Sequence, residues 1–516
     1  MPGRKPILSW LHFVARRRRA AALAAVAALA LAFSGLSAFP ASADLGTTRV
    51  ILTGPGIVSE TQQATGVGGH VVSQLPLING IVADVPSASV LILAAVPGLI
   101  VTPDIAVSVS GVPADTGTSS RSPAAVFPAS TAATQLVASG ITGKGVGVAV
   151  LDTGIDALPD FAGRLIDGVD LSGEGNPFQD SYGHGTFVAG LVAGNGASSG
   201  GQYMGEAPGA NLVAVKVAGV SGQTDLATVI TGVSWVVGHR VADNIGVLNM
   251  SLGAQPFAST VMNPLDNAVE AAWRSGVAVV VSAGNAGPFN GTILTPGDDP
   301  LVITVGASND HGTATNNDDT VPSFSAVGPT NPDGWFKPDL VAPGRSVVSL
   351  RAPGSTIDST YPSARIGTAN FVGSGTSFSA AITSGAAALV EQAGHAVGQP
   401  DAIKARLLGG ATAGPVGNPF VDGHGALNAY WAAMATNSMT QTTPVIAVAL
   451  GTTISIESSW TGSTWNGSTW NGSTWNGSTW NGSTWNGSTC NGSAWDGSTW
   501  NGSTWNGSTW NGSTWN

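Results

Sequence analysis

Cysteine is almost absent. The 516 residues hold one, Cys490, so no disulfide can form within the chain and a folded product must hold itself together by packing. Charge is scarce too, at 9% of residues, and basic residues are scarcer than acidic ones, 19 against 30. Six of the basic ones, Arg4, Lys5 and Arg16 to Arg19, precede an almost unbroken apolar run over residues 20–39 that ends in Ala41-Ser42-Ala43. That layout reads as an export signal cut after Ala43. Without it 13 basic residues face 30 acidic ones, a net of about −17, which argues against nucleic-acid binding and suits solubility outside the cell. No second run is long enough to span a bilayer; the apolar stretch within 440–459 is too short.

What is present falls into segments. Residues 44–110 read as a small unit with strands over 48–52, 69–73, 77–85 and 99–102 and helices over 60–65 and 87–95, the order β-α-β-β-α-β of a ferredoxin-like α+β domain. Residues 111–125 are rich in Gly, Pro and Ser and read as an exposed, easily cut linker. From 126 to 435, short apolar runs alternate with helical stretches, the pattern of a mainly parallel sheet covered by helices on both faces, an α/β three-layer domain. Its expected strands lie at 147–151, 212–217, 246–250, 277–282 and 301–305. The expected helices are at 185–193, 225–237, 264–275, 376–392 and 401–408.

After a linker over 436–459, residues 460–516 repeat the pentapeptide Trp-Asn-Gly-Ser-Thr, and 11 of the 16 tryptophans fall there, with Cys490 in a tryptophan's place. A period of five keeps neither one face of a strand nor one face of a helix. The tail is therefore either a flexible aromatic chain suited to stacking on sugars or wall polymer, or a small repeat solenoid.

Three segments carry chemistry. They are Val148-Ala149-Val150-Leu151-Asp152-Thr153-Gly154, Gly183-His184-Gly185-Thr186 and Gly373-Ser374-Gly375-Thr376-Ser377. A serine hydroxyl is a poor nucleophile until an imidazole takes its proton, and the imidazole needs a carboxylate to fix its tautomer. Asp152 ends an expected strand, where open parallel sheets place reactive groups, and His184 and Ser377 open expected helices between glycines. Singly, each has a plainer reading as a turn residue or helix N-cap. His70, His239, His311, His395 and His424 lack the flanking pattern, and Asp156 and Asp160 read as turn or surface carboxylates.

In the order Asp, His, Ser these motifs resemble those of the subtilisin-like serine peptidases, over roughly 125–435, with 45–110 loosely similar to the family's propeptide. The resemblance implies a secreted endopeptidase with Asp152, His184 and Ser377 as catalytic triad. It also implies that Asn285, in Ser282-Ala283-Gly284-Asn285-Ala286-Gly287, donates to the oxyanion. Ser251, Leu252 and Gly253 would form the edge that pairs with an extended peptide, and a pocket between them and Ala283, Gly284 and Asn285, with a small apolar lining, would favour an apolar residue before the cut. Further implications are polypeptide substrates, a propeptide that inhibits its own chain until cut within 111–122, a monomer, and no required cofactor. Calcium is expected on family grounds alone, since Asp298-Asp299 and residues 316–319 read as solvated acidic loops.

The sequence departs from the family's commonest spelling at Phe187, at Phe378-Ser379 and in lacking a proline after the serine motif, changes that bear on the shape of the site. A surface-binding protein using the peptidase domain only as a scaffold is the alternative from another class. A processing enzyme with a single partner is a third.

Overall fold

The computed structural model describes residues 46–109, 112–113, 126–394, 398–438 and 441, and most of 445–515 as backbone strands. The expected export signal, residues 114–125 and the pair Ser110 and Gly111 lie outside the described residues.

The first unit runs β1 (Thr47–Thr53), α1 (Ile57–Gly66), β2 (His70–Leu75), β3 (Gly80–Pro86), α2 (Val90–Ala94) and β4 (Ile100–Pro103). Its antiparallel sheet, ordered β2-β3-β1-β4, is ferredoxin-like. Val50, Leu52, Ile81, Ala83 and Val85 alternate onto one face and pack with Ala64 of α1 and Leu93 of α2 in a core of their own.

The chain then leaves this sheet. Strand β5 (Ala106–Val109) and the two-residue strand β6 (Val112–Pro113) both pair with the large domain, so the expected linker is built into its surface at its first residues.

The large domain is organised by β7 (Gly147–Asp152), β8 (Leu165–Asp170), α3 (His184–Ala193), β9 (Asn211–Lys216), β10 (Gln223–Asp225), α4 (Leu226–His239), β11 (Ile245–Met250), β12 (Leu252–Gly253), α5 (Pro264–Arg274), β13 (Ala278–Ser282), β14 (Ile303–Ser308) and β15 (Leu340–Pro343). After these come β16 (Val347–Leu350), β17 (Arg365–Ile366), β18 (Asn370–Ser374), α6 (Thr376–Gln392) and α7 (Pro400–Gly410).

Seven strands form one wholly parallel sheet, ordered β15-β14-β13-β11-β7-β9-β8. Its central strands are buried at every residue, as sequences dominated by Val, Ile, Leu and Ala require. The expected three-layer α/β architecture is present. Strands β8 and β15 were not foreseen: β8 is a half-exposed edge with Asp167 and Asp170 in it, and β15 has four residues.

Helix α6 is buried from Thr376 to Glu391 and lies under β11, β13, β14 and β15. A helix covered all round needs its polar side chains satisfied. Ser379 Oγ donates to Ala342 O at 2.9 Å, and Ser384 Oγ donates to Asn249 Oδ1 at 2.9 Å. Beneath it Glu206 is fully buried, and burial outweighs the nearby Thr131 and pushes its carboxyl up to about 8.

This sets a direction for stability. A carboxyl that stays protonated when folded but ionises near 4.5 when unfolded makes the fold progressively less stable as pH rises from about 4.5 to about 8. Glu206→Gln should remove up to about 1.4 kcal/mol of that slope per pH unit. Chemical unfolding of an inactive variant at pH 5 and pH 8 reads it; an unchanged slope would refute this role for Glu206.

Two acidic sites depart from expectation. Asp298 and Asp299 are buried, 1% and 0% exposed, against Asp266 and Glu270 of α5; burial raises all four carboxyls, neighbouring carboxylates add to this for Asp266, Glu270 and Asp298, and Lys337 and Lys404 oppose it for Asp299. Asp160 is also buried, accepting from Ser198 N at 3.1 Å, where a surface carboxylate was expected. In both places the loop folds inward; Asp299 Oδ1 accepts from Leu301 N at 2.8 Å, while both oxygens of Asp298 are buried without a hydrogen-bond partner.

In the tail, strands pair in parallel with a constant offset: Trp460 faces Trp475, Trp465 faces Trp480, Trp475 faces Cys490 and Trp495 faces Trp510. Three pentapeptides therefore make one coil, the solenoid alternative.

Candidate active site

The sheet delivers Asp152 at the carboxyl end of central strand β7, wholly buried. Its Oδ1 accepts from Thr153 N at 2.8 Å, and His184 Nδ1 donates to Oδ1 and Oδ2 at 2.8 and 3.0 Å. A carboxylate holding Nδ1 in this way leaves Nε2 as the ring's acceptor. Nε2 is buried and has no hydrogen-bond partner.

The glycines around His184 are demanded by close approach. A Cβ on Gly185 would lie 2.1 Å from Gly154 O, and one on Gly183, at φ +104°, would lie 2.4 Å from Ser355 Oγ. Only bare backbone lets the first turn of α3 seat against the loop after β7.

Ser377 sits in the first turn of α6. Its Oγ donates to Ser251 O at 3.3 Å, and Ser251 Oγ donates to Ser377 O at 2.9 Å, so the serine turn is tied to the end of β11. The following ring, Phe378, stands 5.7 Å from the His184 ring and 4.4 Å from that of Phe187. The two unusual phenylalanines are thus one feature, an aromatic wall beside the histidine.

Thr376 ties in the third segment. Asn285 Oδ1 accepts from Thr376 N at 2.9 Å and Oγ1 at 3.0 Å, and Gly284 N donates to Thr376 Oγ1 at 3.1 Å. With Oδ1 engaged there, Nδ2 is the amide's donor on the other side.

Leu294, which the sequence reading missed, stands between the two expected substrate-binding segments: a Cβ on Gly253 would be 3.0 Å from Leu294 Cβ, and one on Gly284 would be 2.7 Å from Leu294 Cγ. Nothing local marks Leu294; only the folding of the loop after β13 back under both edges, with Ala254 N donating to Thr295 O at 3.1 Å, brings it there.

Beside His184 an open crevice is lined by Phe187, Phe371, Phe378, Leu350 and Ile357, with Arg351 and Asp358 paired in its wall. It contains none of residues 251–254 or 283–285.

The chain's own strands bracket this site. β5 lies between β10 and β12, antiparallel to both, with Ser108 opposite Gly253 and Val109 opposite Leu252. β6 pairs with β18, with Val112 opposite Ser374.

Residues 143–425 match the subtilase family, peptidase S8. The chain belongs to the subtilase family. Subtilases are serine-type peptidases, and two relatives from Bacillus subtilis strain 168 illustrate the likeness. Serine protease AprX is 46% identical over 295 residues, covering 56% of this chain and 66% of its own length, just under two thirds. Subtilisin E is 34% identical over 302 residues, covering 58% and 68%. Among solved structures, fervidolysin from Fervidobacterium pennivorans, a keratinolytic enzyme related to subtilisin, superposes with a TM-score of 0.60 at 23% identity, covering 77% of this chain and 62% of that one. It shares the subtilase fold. Among the described residues no three His, Cys, Asp or Glu side chains are grouped to hold a metal ion. Nor is any helix among them long and apolar enough to cross a membrane.

Proposed function

We propose that the chain is a secreted serine endopeptidase that attacks peptide carbonyls with Ser377. His184 acts as base and then acid, Asp152 orients His184, and Asn285 together with the Ser377 backbone amide holds the oxyanion. The observation that carries this reading is the course of the chain's own strands. β5 adds to the edge at Leu252–Gly253 as an extended substrate would, and β6 pairs with β18, whose last residue, Ser374, lies three before Ser377. Residues 44–110 are accordingly an inhibitory propeptide. Its exit is anchored where Ala227 N donates to Asp104 Oδ1 at 3.0 Å and Leu226 N to Ile105 O at 3.1 Å, at the first turn of α4.

The residue before the cut is proposed to sit between Gly253 and Gly284, where Leu294 limits the depth and so favours small residues, and the residue after it in the aromatic crevice. Leu294→Ala should raise kcat/KM for Leu or Phe before the cut about tenfold or more relative to Ala, since each buried methylene discriminates by about 1 to 3 kcal/mol. Peptides differing only at that residue test it, and an unchanged preference would sink this role. No metal takes part in the steps proposed. The repeat tail is proposed to hold the secreted enzyme to wall polymer or glycan through its tryptophans.

The test of the whole reading is the mass and casein-cleaving activity of the secreted product, wild type beside Ser377→Ala.

A further inference from the structure

Asp152 and His184 lie 32 residues apart on different elements, and the strand and helix that carry them do not by themselves fix the bidentate contact. A buried network does. Asp180, four residues before His184 and 3% exposed, uses both carboxylate oxygens as acceptors. Oδ1 receives Thr153 Oγ1 at 2.8 Å and Gly183 N at 2.7 Å, and Oδ2 receives Thr186 N at 2.7 Å. Thr153 Oγ1 in turn accepts from Gly185 N at 2.9 Å. The residue next to Asp152 is therefore bonded to the residue after His184 directly, and through Asp180 to the residue before it.

A second tie runs alongside. Asp156 Oδ1 accepts from Asp180 N at 2.8 Å, and Asp156 N donates to Thr186 Oγ1 at 3.0 Å. Of the amides flanking the histidine, Gly185 N is thus committed to the loop after β7, and Gly183 N and Thr186 N to Asp180, which Thr153 and Asp156 tie to that loop. Burial, with a smaller contribution from the Asp152 charge, pushes the Asp180 carboxyl up to about 6, against the pull of its three donors. Asp180 does not line the crevice. A buried carboxylate against a like charge is a costly group to keep for packing alone.

We infer that Asp180 is a positioning residue for catalysis: acting through Thr153 and the amides of Gly183 and Thr186, it sets the separation of Asp152 from His184, so that its loss slows the chemical step and leaves substrate binding intact. The inference rests on the triad reading above. Displacements of about 1 Å at such a pair cost about a hundredfold in rate. Asparagine at 180 keeps the shape but turns an amide donor toward one of the three donors that the carboxylate accepts.

Self-processing of the full chain gives a reading free of KM, because the cut strand is already paired. After refolding, Asp180→Asn and Thr153→Val should each process about 10- to 100-fold more slowly than wild type. Thr153→Ser, which restores the hydroxyl, should come within about threefold. On matured enzyme the loss should fall on kcat, with KM within about twofold. Asp152→Asn is the control.

If Asp180→Asn and Thr153→Val process at the wild-type rate while Asp152→Asn does not, the inference is overturned and the triad stands. If Asp152→Asn also processes normally, the triad reading falls and takes the inference with it. Folding is checked by thermal melting in a Ser377→Ala background. Should Asp180→Asn fail to fold there, the Thr153→Val and Thr153→Ser pair decides: loss with rescue supports the clamp, and equal rates overturn it.

Discussion

Ser377→Ala is expected to accumulate as the unprocessed chain and to lose casein hydrolysis by about five to six orders of magnitude, the cost of removing a triad nucleophile. Its Oγ is the only reacting atom lost, and the turn that carries it is still held by Ser251 Oγ donating to Ser377 O at 2.9 Å, so the fold should survive. Wild type, by contrast, should acquire a new N-terminus at Ser110, Gly111 or Val112. Val109 is already paired with Leu252, and Val112 with Ser374, which leaves only the intervening bonds within reach. Intact mass of both secreted products decides it. Equal maturation of both, with neither cutting casein, would end the peptidase reading and move attention to the tryptophan repeat.

Asp152→Asn should lower kcat by about four orders of magnitude with KM nearly unchanged. The carboxylate now accepts the Nδ1 proton at 2.8 and 3.0 Å. An amide in its place would turn a donor toward the ring, favour the tautomer protonated at Nε2, and remove the acceptor that the serine proton needs. Steady-state kinetics on a peptide substrate measure the effect, and a loss of less than tenfold would show that His184 is oriented by something else.

Much of this architecture was legible because period and punctuation agreed. The buried strands β7, β11 and β13 are mostly apolar runs, and His184 and Ser377 lie in the first turns of helices that open after glycines, as the motifs suggested. What stayed hidden depends on long-range folding. Leu294 resembles any loop leucine until its loop returns beneath Gly253 and Gly284. Asp180 has no motif of its own and acquires meaning only from the three donors that converge on it. Asp298 and Asp299 looked solvated because charge in a Pro-Gly loop usually is; here the loop folds inward. Strand β5 was read as the end of a domain because pairing to an edge more than a hundred residues away leaves no local trace.

The coil of the tail has a genetic consequence. Opposed positions are fifteen residues apart and every pentapeptide is nearly the same, so Trp460 would meet a tryptophan whichever copy lay three units on. Gain or loss of one unit by slippage during DNA replication would thus lengthen or shorten the stack without throwing any rung out of step. The same redundancy explains how a cysteine can stand at position 490, opposite Trp475 and Trp505, in a column otherwise built of tryptophan.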